Sequence, residues 1–204
     1  MEDCAEDAIW RSINPNNIWV LDKLILSKKL GYNCGPVGID VPEPGWYIVR
    51  PCVNAMGMGL GAQRVFIEEE TIHLPLGHFW CEWFEGEQYS VDFLPQYGVK
   101  VLTVKGTKQS QDEFVKWQKW EKVNHKDEHE VPDFLYPTIL DYHRINLEYV
   151  GKKLIEVHFR ENEDFKNGIS EFLPVWEGQE TTPPAGFKYI DYEDVGGRIG
   201  AFVK

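Results

Sequence analysis

Between Arg144 and Arg160 the chain reads RINLEYVGKKLIEVHFR, and on each side of its central glycine alternate positions carry groups able to do chemistry. Arg144, Asn146 and Glu148 precede Gly151, and Glu156, His158 and Arg160 follow it. The positions between them, Ile145, Leu147 and Tyr149, then Ile155, Val157 and Phe159, are apolar. This period of two predicts a half-buried antiparallel hairpin. A loop from Gly151 to Lys153 sets Glu148 opposite Glu156 and Asn146 opposite His158. A slip of one residue would put Ile155 and Val157 across from polar side chains, so burial selects the register. Two acids, an amide and an imidazole between two arginines could hold a hard cation and the phosphates it bridges. A solvated sheet face with cross-strand ion pairs has the same pattern, and on this stretch alone both readings stand.

A second candidate is Gly57-Met58-Gly59-Leu60-Gly61, which follows a strand-like segment reaching Arg50. Glycines let backbone N–H groups approach phosphates closely. No helix opens after the loop, as a dinucleotide fingerprint requires, and no Gly-Lys-Ser/Thr supports a P-loop. The expectation is a glycine flap between two antiparallel strands, with an ordinary hairpin loop as the plainer alternative. His125 and His129, beside Pro132, are expected in a solvated loop rather than on a metal, and His73 and His78 are loop residues as well. No Gly-x-Ser-x-Gly or supported Cys–His pairing suggests nucleophilic hydrolysis. The tryptophan pairs at 80/83 and 117/120 could stack a base or sugar, with packing in a core or on a helix the plainer expectation for most of them.

These groups need a scaffold, and 204 residues with 43% hydrophobic and 14% aromatic content suit one domain or two small lobes. A net charge of -12 disfavours non-specific binding to nucleic acid but permits a local basic pocket. No stretch approaches the roughly 20 apolar residues of a membrane span. The opening MEDCAEDAIW lacks the features of a signal peptide. Cys4, Cys34, Cys52 and Cys81 form no C-x-x-C pair, so reduced thiols and a cytoplasmic location are expected, without zinc.

Along the chain, residues 1–13 form an acidic helix or arm, and the turn Asn14-Pro15-Asn16-Asn17 starts a helix with Leu21, Leu24, Ile25 and Leu30 on one side and Gly31 as its stop. Strands follow in WYIVRP, VFIEE, HFWCEWFEGEQYSVDFL (two, joined at Glu85-Gly86) and VLTVKG. Ser110 and Glu113 predict a capping box opening a helix with Phe114, Trp117 and Trp120 on one side. NHKDEHEVPD is a charged loop, and GFKYID with RIGAFV forms a last hairpin. The sum is an α+β protein dominated by antiparallel strands.

In this order the segments resemble the ATP-grasp superfamily, over roughly residues 20 to 165. Asp22-Lys23 looks like the Asp-Lys that opens the family's first helix, and YIVRP is similar to its strand ending in Lys/Arg-Pro. The glycine flap follows, then CEWFEGEQYSVDF, similar to the family's "EEFIEGREYSVDVL", and LIEVHFR, similar to "xxEVNPR". The resemblance implies two lobes of antiparallel sheet gripping ATP: an N-terminal arm (1–19), an N-lobe with helix, flap and hinge strands (20–98), and a C-lobe with the metal-binding hairpin (99–204). It implies phosphate contacts for Lys23 and Arg50 under a flap of Gly57, Gly59 and Gly61. An adenine hinge falls at Cys81, Glu82, Trp83 and Phe84, and a ribose contact at Gln88. Asn146, Glu156 and His158 fall at the family's magnesium ligands, with Glu148 on the same face, and Arg160 near the transferring phosphate.

The activity so implied is ligation of a small-molecule carboxylate to an amine through an acyl phosphate, with ATP and Mg²⁺. Lys23, Arg50 and Arg160 would be its catalytic cations. Three positions depart from the family pattern: Asn146 stands for Asp, His158 for Asn and Gln88 for Glu. A histidine ligand admits Mn²⁺. The substrate domain that usually precedes Asp-Lys is reduced to about twenty residues here, so a partner protein supplying the acceptor site is a further expectation. Two alternatives remain open on the sequence: a nucleotide-binding homologue without catalysis, and a small acidic interaction or inhibitor protein.

Overall fold

In the computed structural model, which describes residues 5–53, 59–191 and 196–204, the alternating segments build two antiparallel sheets. The smaller contains β1 (Cys34–Pro36), β2 (Gly45–Pro51), β3 (Gln63–Ile67) and β4 (His78–Glu82), in the order β1-β4-β2-β3. The larger contains β5 (Gln88–Leu94), β6 (Val99–Thr107), β7 (Lys119–Lys122), β8 (Ile145–Val150), β9 (Lys153–His158), β10 (Glu171–Trp176), β11 (Lys188–Asp191) and β12 (Arg198–Val203). Its order is β11-β12-β10-β7-β6-β5-β8-β9. The helices are short: α1 (Ala5–Ser12), α2 (Lys23–Lys29) and α3 (Tyr136–Ile139), with a 3₁₀ turn over Pro15–Leu21. The protein is therefore α+β with two antiparallel sheets. Among the described residues no helix is long and apolar enough to cross a membrane.

The chain changes sheet between Glu82 and Gln88, and there Gly86 adopts φ +134°. A Cβ on it would sit 3.0 Å from the Gly151 backbone, so the crossing rests directly on the turn of the β8–β9 hairpin.

In that hairpin Asn146 pairs with His158 and Glu148 with Glu156, the register that burial of the apolar face demands. The route to it differs from expectation. The turn keeps only Gly151 and Lys152 outside the strands, and the odd residue is absorbed by a bulge that leaves Ile155 unpaired. Leu154, 2% exposed, takes the core place expected of Ile155.

The core lies against one face of the large sheet. Tyr89, Val91 and Phe93 of β5, Ile145, Leu147 and Tyr149 of β8, and Val157 of β9 meet Val20, Leu26, Leu135 and Ile139. Burying each aliphatic side chain contributes about 1.5–3 kcal/mol. Helix α2 is shorter than periodicity predicts because extended Asp22 caps it, accepting from the Ile25 N–H at 3.0 Å. That start fixes the phase: Leu26 is fully buried, whereas Ile25, expected inside, is 39% exposed. Gly31, with φ +76°, stops the helix as expected.

Two expectations fail outright. The helix from Ser110 does not form, because the Glu113 carboxylate accepts from the Val115 and Lys116 N–H groups, each at 2.8 Å, and closes a turn. The chain then extends into β7, where Trp120 pairs with Gly106 on one side and Phe172 on the other. His129 is not solvated. It is fully buried between Tyr89 and Tyr149, with ring centroids 4.5 and 4.9 Å away, and neither ring nitrogen has a hydrogen-bond partner. His125 is exposed, as expected, with Nδ1 2.8 Å from the Thr103 hydroxyl.

Burial, then the Lys100 charge, lowers the His129 pKa. The folded protein thus holds a neutral ring that the unfolded chain protonates below about pH 6.5, so stability falls as pH drops through and below that value. His129→Phe, which keeps the stacking, is expected to flatten this acid limb in denaturant titrations at pH 5 and pH 7. An unchanged slope would assign the acid sensitivity to other groups.

Candidate active site

Between the two sheets lies a cavity of about 730 Å³. Its lining includes Lys23, Arg50, Cys81, Trp83, Phe84, Gln88, Asn146, Glu148, Glu156, His158 and Arg160, so residues far apart in sequence converge there. Lys23 opens α2, and its backbone N–H donates to the Cys52 carbonyl at 2.7 Å. Its ammonium is buried 3.4 Å from Glu156 Oε1. Arg50, near the end of β2, donates Nη2 to the Ile155 carbonyl at 2.9 Å, and its Nη1 is 3.9 Å from Glu156 Oε2. The unpaired residue of the bulge and its neighbour Glu156 thus both tie β9 to the small sheet.

Glu148 and Glu156 share the His158 imidazole, whose Nε2 is 3.8 Å from one carboxylate and 3.6 Å from the other. Gln88 donates Nε2 to Glu148 at 3.1 Å. Burial first, then the Glu156 charge, raises the Glu148 pKa, against the opposing effect of His158, Arg160 and Lys23.

Beneath these groups is a layer that the sequence reasoning did not include. Asp92, with no exposed surface, accepts from Arg144 at 3.0 and 2.7 Å, from the Asn146 amide at 2.9 Å and from the Asn162 N–H at 2.9 Å. Ser90 Oγ accepts from Asn146 and Asn162 at 2.7 and 3.0 Å. The signal was present in Y-S-V-D-F, where alternation puts Ser90 and Asp92 on one face, in register with Glu148 and Asn146. Both bonds to Asn146 use its amide nitrogen, which turns the amide oxygen the other way.

Other expected residues lie elsewhere. Glu82 does not line the cavity, and its carboxylate accepts from the Asn33 N–H at 2.9 Å. Gly61 sits against Pro51 and His78, while Gly59 lines the cavity and abuts the Phe114 carbonyl. Gly57 is outside the described residues. His78 heads β4, with Nδ1 3.2 Å from the Leu76 carbonyl, instead of lying in the loop. Cys34, Cys52 and Cys81 are free thiols.

Among the described residues, no three His, Cys, Asp or Glu side chains form a ready metal cage. The donor chemistry nevertheless fits a hard cation that takes much of its shell from phosphate oxygens. The Glu156 charge disfavours ionisation of Glu148, and Asn146 lies two residues before Glu148 on the same strand.

In fold this chain is ATP-grasp-like. No family model and no curated protein matches its sequence. Among solved structures, it is similar to N5-carboxyaminoimidazole synthetase from Staphylococcus aureus, with 10% identity over 91% of this chain and 67% of that one, and a TM-score of 0.51. A protein from Archaeoglobus fulgidus assigned to the ATP-grasp superfamily shares 14% identity over 91% of this chain, at a TM-score of 0.48. The ATP-grasp ligase PsnB, in complex with a minimal precursor, Mg and ADP, shares 13% identity over 76% of this chain, at a TM-score of 0.44. This chain spans 64% of the Archaeoglobus protein and 55% of PsnB.

Removing a buried carboxylate leaves its donors without a partner. Asp92→Ala is expected to cost about 3 kcal/mol in denaturant unfolding, and Asp92→Asn clearly less. A loss within the ordinary surface range of about 0.5 kcal/mol would show that the layer contributes little to holding Asn146 in place.

Proposed function

We propose that the protein is an ATP-dependent carboxylate–amine ligase. The observation that carries this is the convergence of Lys23, Arg50, Glu148, Glu156 and His158, from α2, β2, β8 and β9, on one wall of a cavity between two sheets. In the reaction, a substrate carboxylate oxygen attacks the γ-phosphorus, forming an acyl phosphate and releasing ADP. An amine then attacks the acyl carbon, loses a proton, and expels inorganic phosphate as the amide bond forms.

Negative charge collects on the phosphoryl oxygens in the first step, and Lys23, Arg50 and Arg160 offset it. Glu148, Glu156 and the Asn146 amide oxygen would hold Mg²⁺, which supplies charge neutralisation on the triphosphate. Cys81, Trp83 and Phe84, at the end of β4 and just after it, serve the adenine and Gln88 the ribose. No residue acts as a covalent nucleophile. Nucleotide binding without ligation is the second reading, and one observation favours it: the His158 imidazole already lies against both carboxylates.

Lys23→Ala is expected to weaken ATP at least about 10-fold, near 1.4 kcal/mol, in titrations with Mg²⁺ while leaving adenosine affinity unchanged. Equal losses for the two ligands would make the lysine structural. Glu156→Gln should remove the Mg²⁺ dependence of ATP binding, and full retention would take Glu156 out of the metal shell. ADP release with mixed carboxylates and amines separates the two readings, since a binding protein gives none.

A further inference from the structure

Each strand of the small sheet places one residue in a row across its cavity face. Ile48 of β2 pairs with Arg64 of β3 and with Cys81 of β4, and Cys81 pairs in turn with Cys34 of β1. Ile48, Cys81 and Arg50 all line the cavity, which fixes the face. Residues directly opposite on antiparallel strands point to the same side of a sheet. Two thiols therefore lie side by side at the β1 end of the row.

The kind of pair matters. In this register Asn33 opposes Glu82 and Val37 opposes His78, and there the ladder bonds are found. The Glu82 N–H donates to the Asn33 carbonyl at 2.8 Å, and the Val37 N–H to the His78 carbonyl at 3.3 Å. Bonded and unbonded pairs alternate along an antiparallel ladder, so Cys34 and Cys81 form an unbonded pair. Opposite Cα atoms in such a pair are about 4.5 Å apart, within the roughly 4.4–6.8 Å that a disulfide spans. Strand β1 is three residues long and lies at the edge of its sheet, so it can take up a small adjustment.

The two thiols differ in access. Cys81 is 1% exposed, with Ser27 of α2 against it, whereas Cys34 is partly exposed, with Lys28 nearby. Burial pushes both thiol pKa values up, that of Cys81 to about 12, while Lys28 and Arg50 oppose the shifts. A reduced form that gains little from ionisation gives a disulfide that resists reduction once closed. Cys52 lies beyond β2, outside this row.

We propose that Cys34 and Cys81 form a reversible dithiol–disulfide site on the cavity wall, oxidised by small-molecule disulfides. The Cys34 thiolate attacks one sulfur of the oxidant R–S–S–R and expels RS⁻, leaving Cys34 in a mixed disulfide. The Cys81 thiolate then attacks the Cys34 sulfur, the bond between the two cysteines forms, and the second RS⁻ leaves. Each protein thiol gives up one proton and each leaving thiolate takes one, so the protein loses two electrons to the oxidant. Closing the bridge turns the Cys81 sulfur toward β1 and away from Ile48. This reshapes the wall, and oxidation is thereby linked to occupancy of the cavity. The bridge follows from the strand pairing alone; its link to nucleotide binding rests on the reading above.

The test equilibrates the full chain with reduced and oxidised glutathione at about pH 8.5, where an ordinary thiol is half ionised. After an acid quench and alkylation, wild type is expected to have lost two hydrogens by mass. Digestion should give one linked peptide pair, Cys34 with Cys81, which dithiothreitol opens. Cys52→Ser should behave in the same way. Cys81→Ser should stop at glutathione on Cys34, and Cys34→Ser should form no bridge. Oxidation is expected to change the affinity of wild type for a non-hydrolysable ATP analogue with Mg²⁺ at least about fivefold, and to leave that of Cys34→Ser unchanged.

Glutathione persisting on Cys34 of wild type, a bridge to Cys52, or no oxidation until urea unfolds the chain would each overturn the proposal. A bridge that forms while the analogue binds both states equally would overturn its link to the cavity. Failure of the analogue to bind either state would overturn the nucleotide reading, and the mass measurement alone then decides the bridge.

Discussion

The bulge at Ile155 is the constraint on which the site depends. Without an extra residue, a tight turn at Gly151 and Lys152 would pair Glu148 with Ile155 instead of Glu156, and acidic groups would face the core. With it, one strand pair satisfies two demands. Leu147, Tyr149, Leu154 and Val157 enter the core, while Glu148, Glu156 and His158 enter the cavity. The unpaired Ile155 carbonyl is not wasted, because Arg50 donates to it across the gap between the sheets. A local irregularity in one hairpin thereby sets both the acid pair and a contact between the two sheets.

The charged groups of the cavity wall lie against one another. Glu156 has Lys23 at 3.4 Å and Arg50 at 3.9 Å, and His158 bridges toward both acids. These charges lie away from bulk water, so each pair gains more than a surface pair but loses much to desolvation. Such balance favours ligands that bring both signs together. A triphosphate alone would compete with Glu156 for the cations, and a divalent ion alone would compete with the cations for Glu156. Together they supply each side with a replacement partner.

Much of this was legible because alternation reports burial directly. Arg144 to Arg160 gave the register and the cavity face, and Lys23, Arg50 and Gln88 reach the same cavity. The illegible parts share a cause: local pattern does not encode what a segment meets across the fold. Ser110 and Glu113 fit a capping box, and the spacing of Trp117 and Trp120 fits a helix, yet Gly106 and Phe172 offered strand partners that a helix could not use. His129 sits in a run of charges that predicts solvent, but Tyr89 and Tyr149 leave a slot for one flat ring. Strand β10 was hidden by Pro174. It is tolerated because the pairing with β7 ends at Phe172, leaving that side of the proline without a ladder to break.

The strength of the contacts between the sheets is unevenly distributed. At the floor, buried Arg50 and Lys23 reach β9, and Gly86 presses on Gly151. At the roof, Arg64 of β3 meets Gln111 at 3.2 Å and the exposed Asp112 at 3.8 Å, while Gly59 touches Phe114. An exposed ion pair of this kind contributes about 0–1 kcal/mol. Parting the loops at the roof therefore costs far less than parting the sheets at the floor. The cavity is thus bounded on one side by a junction fixed in the hairpin register, and on the other by contacts weak enough to exchange for those of a ligand.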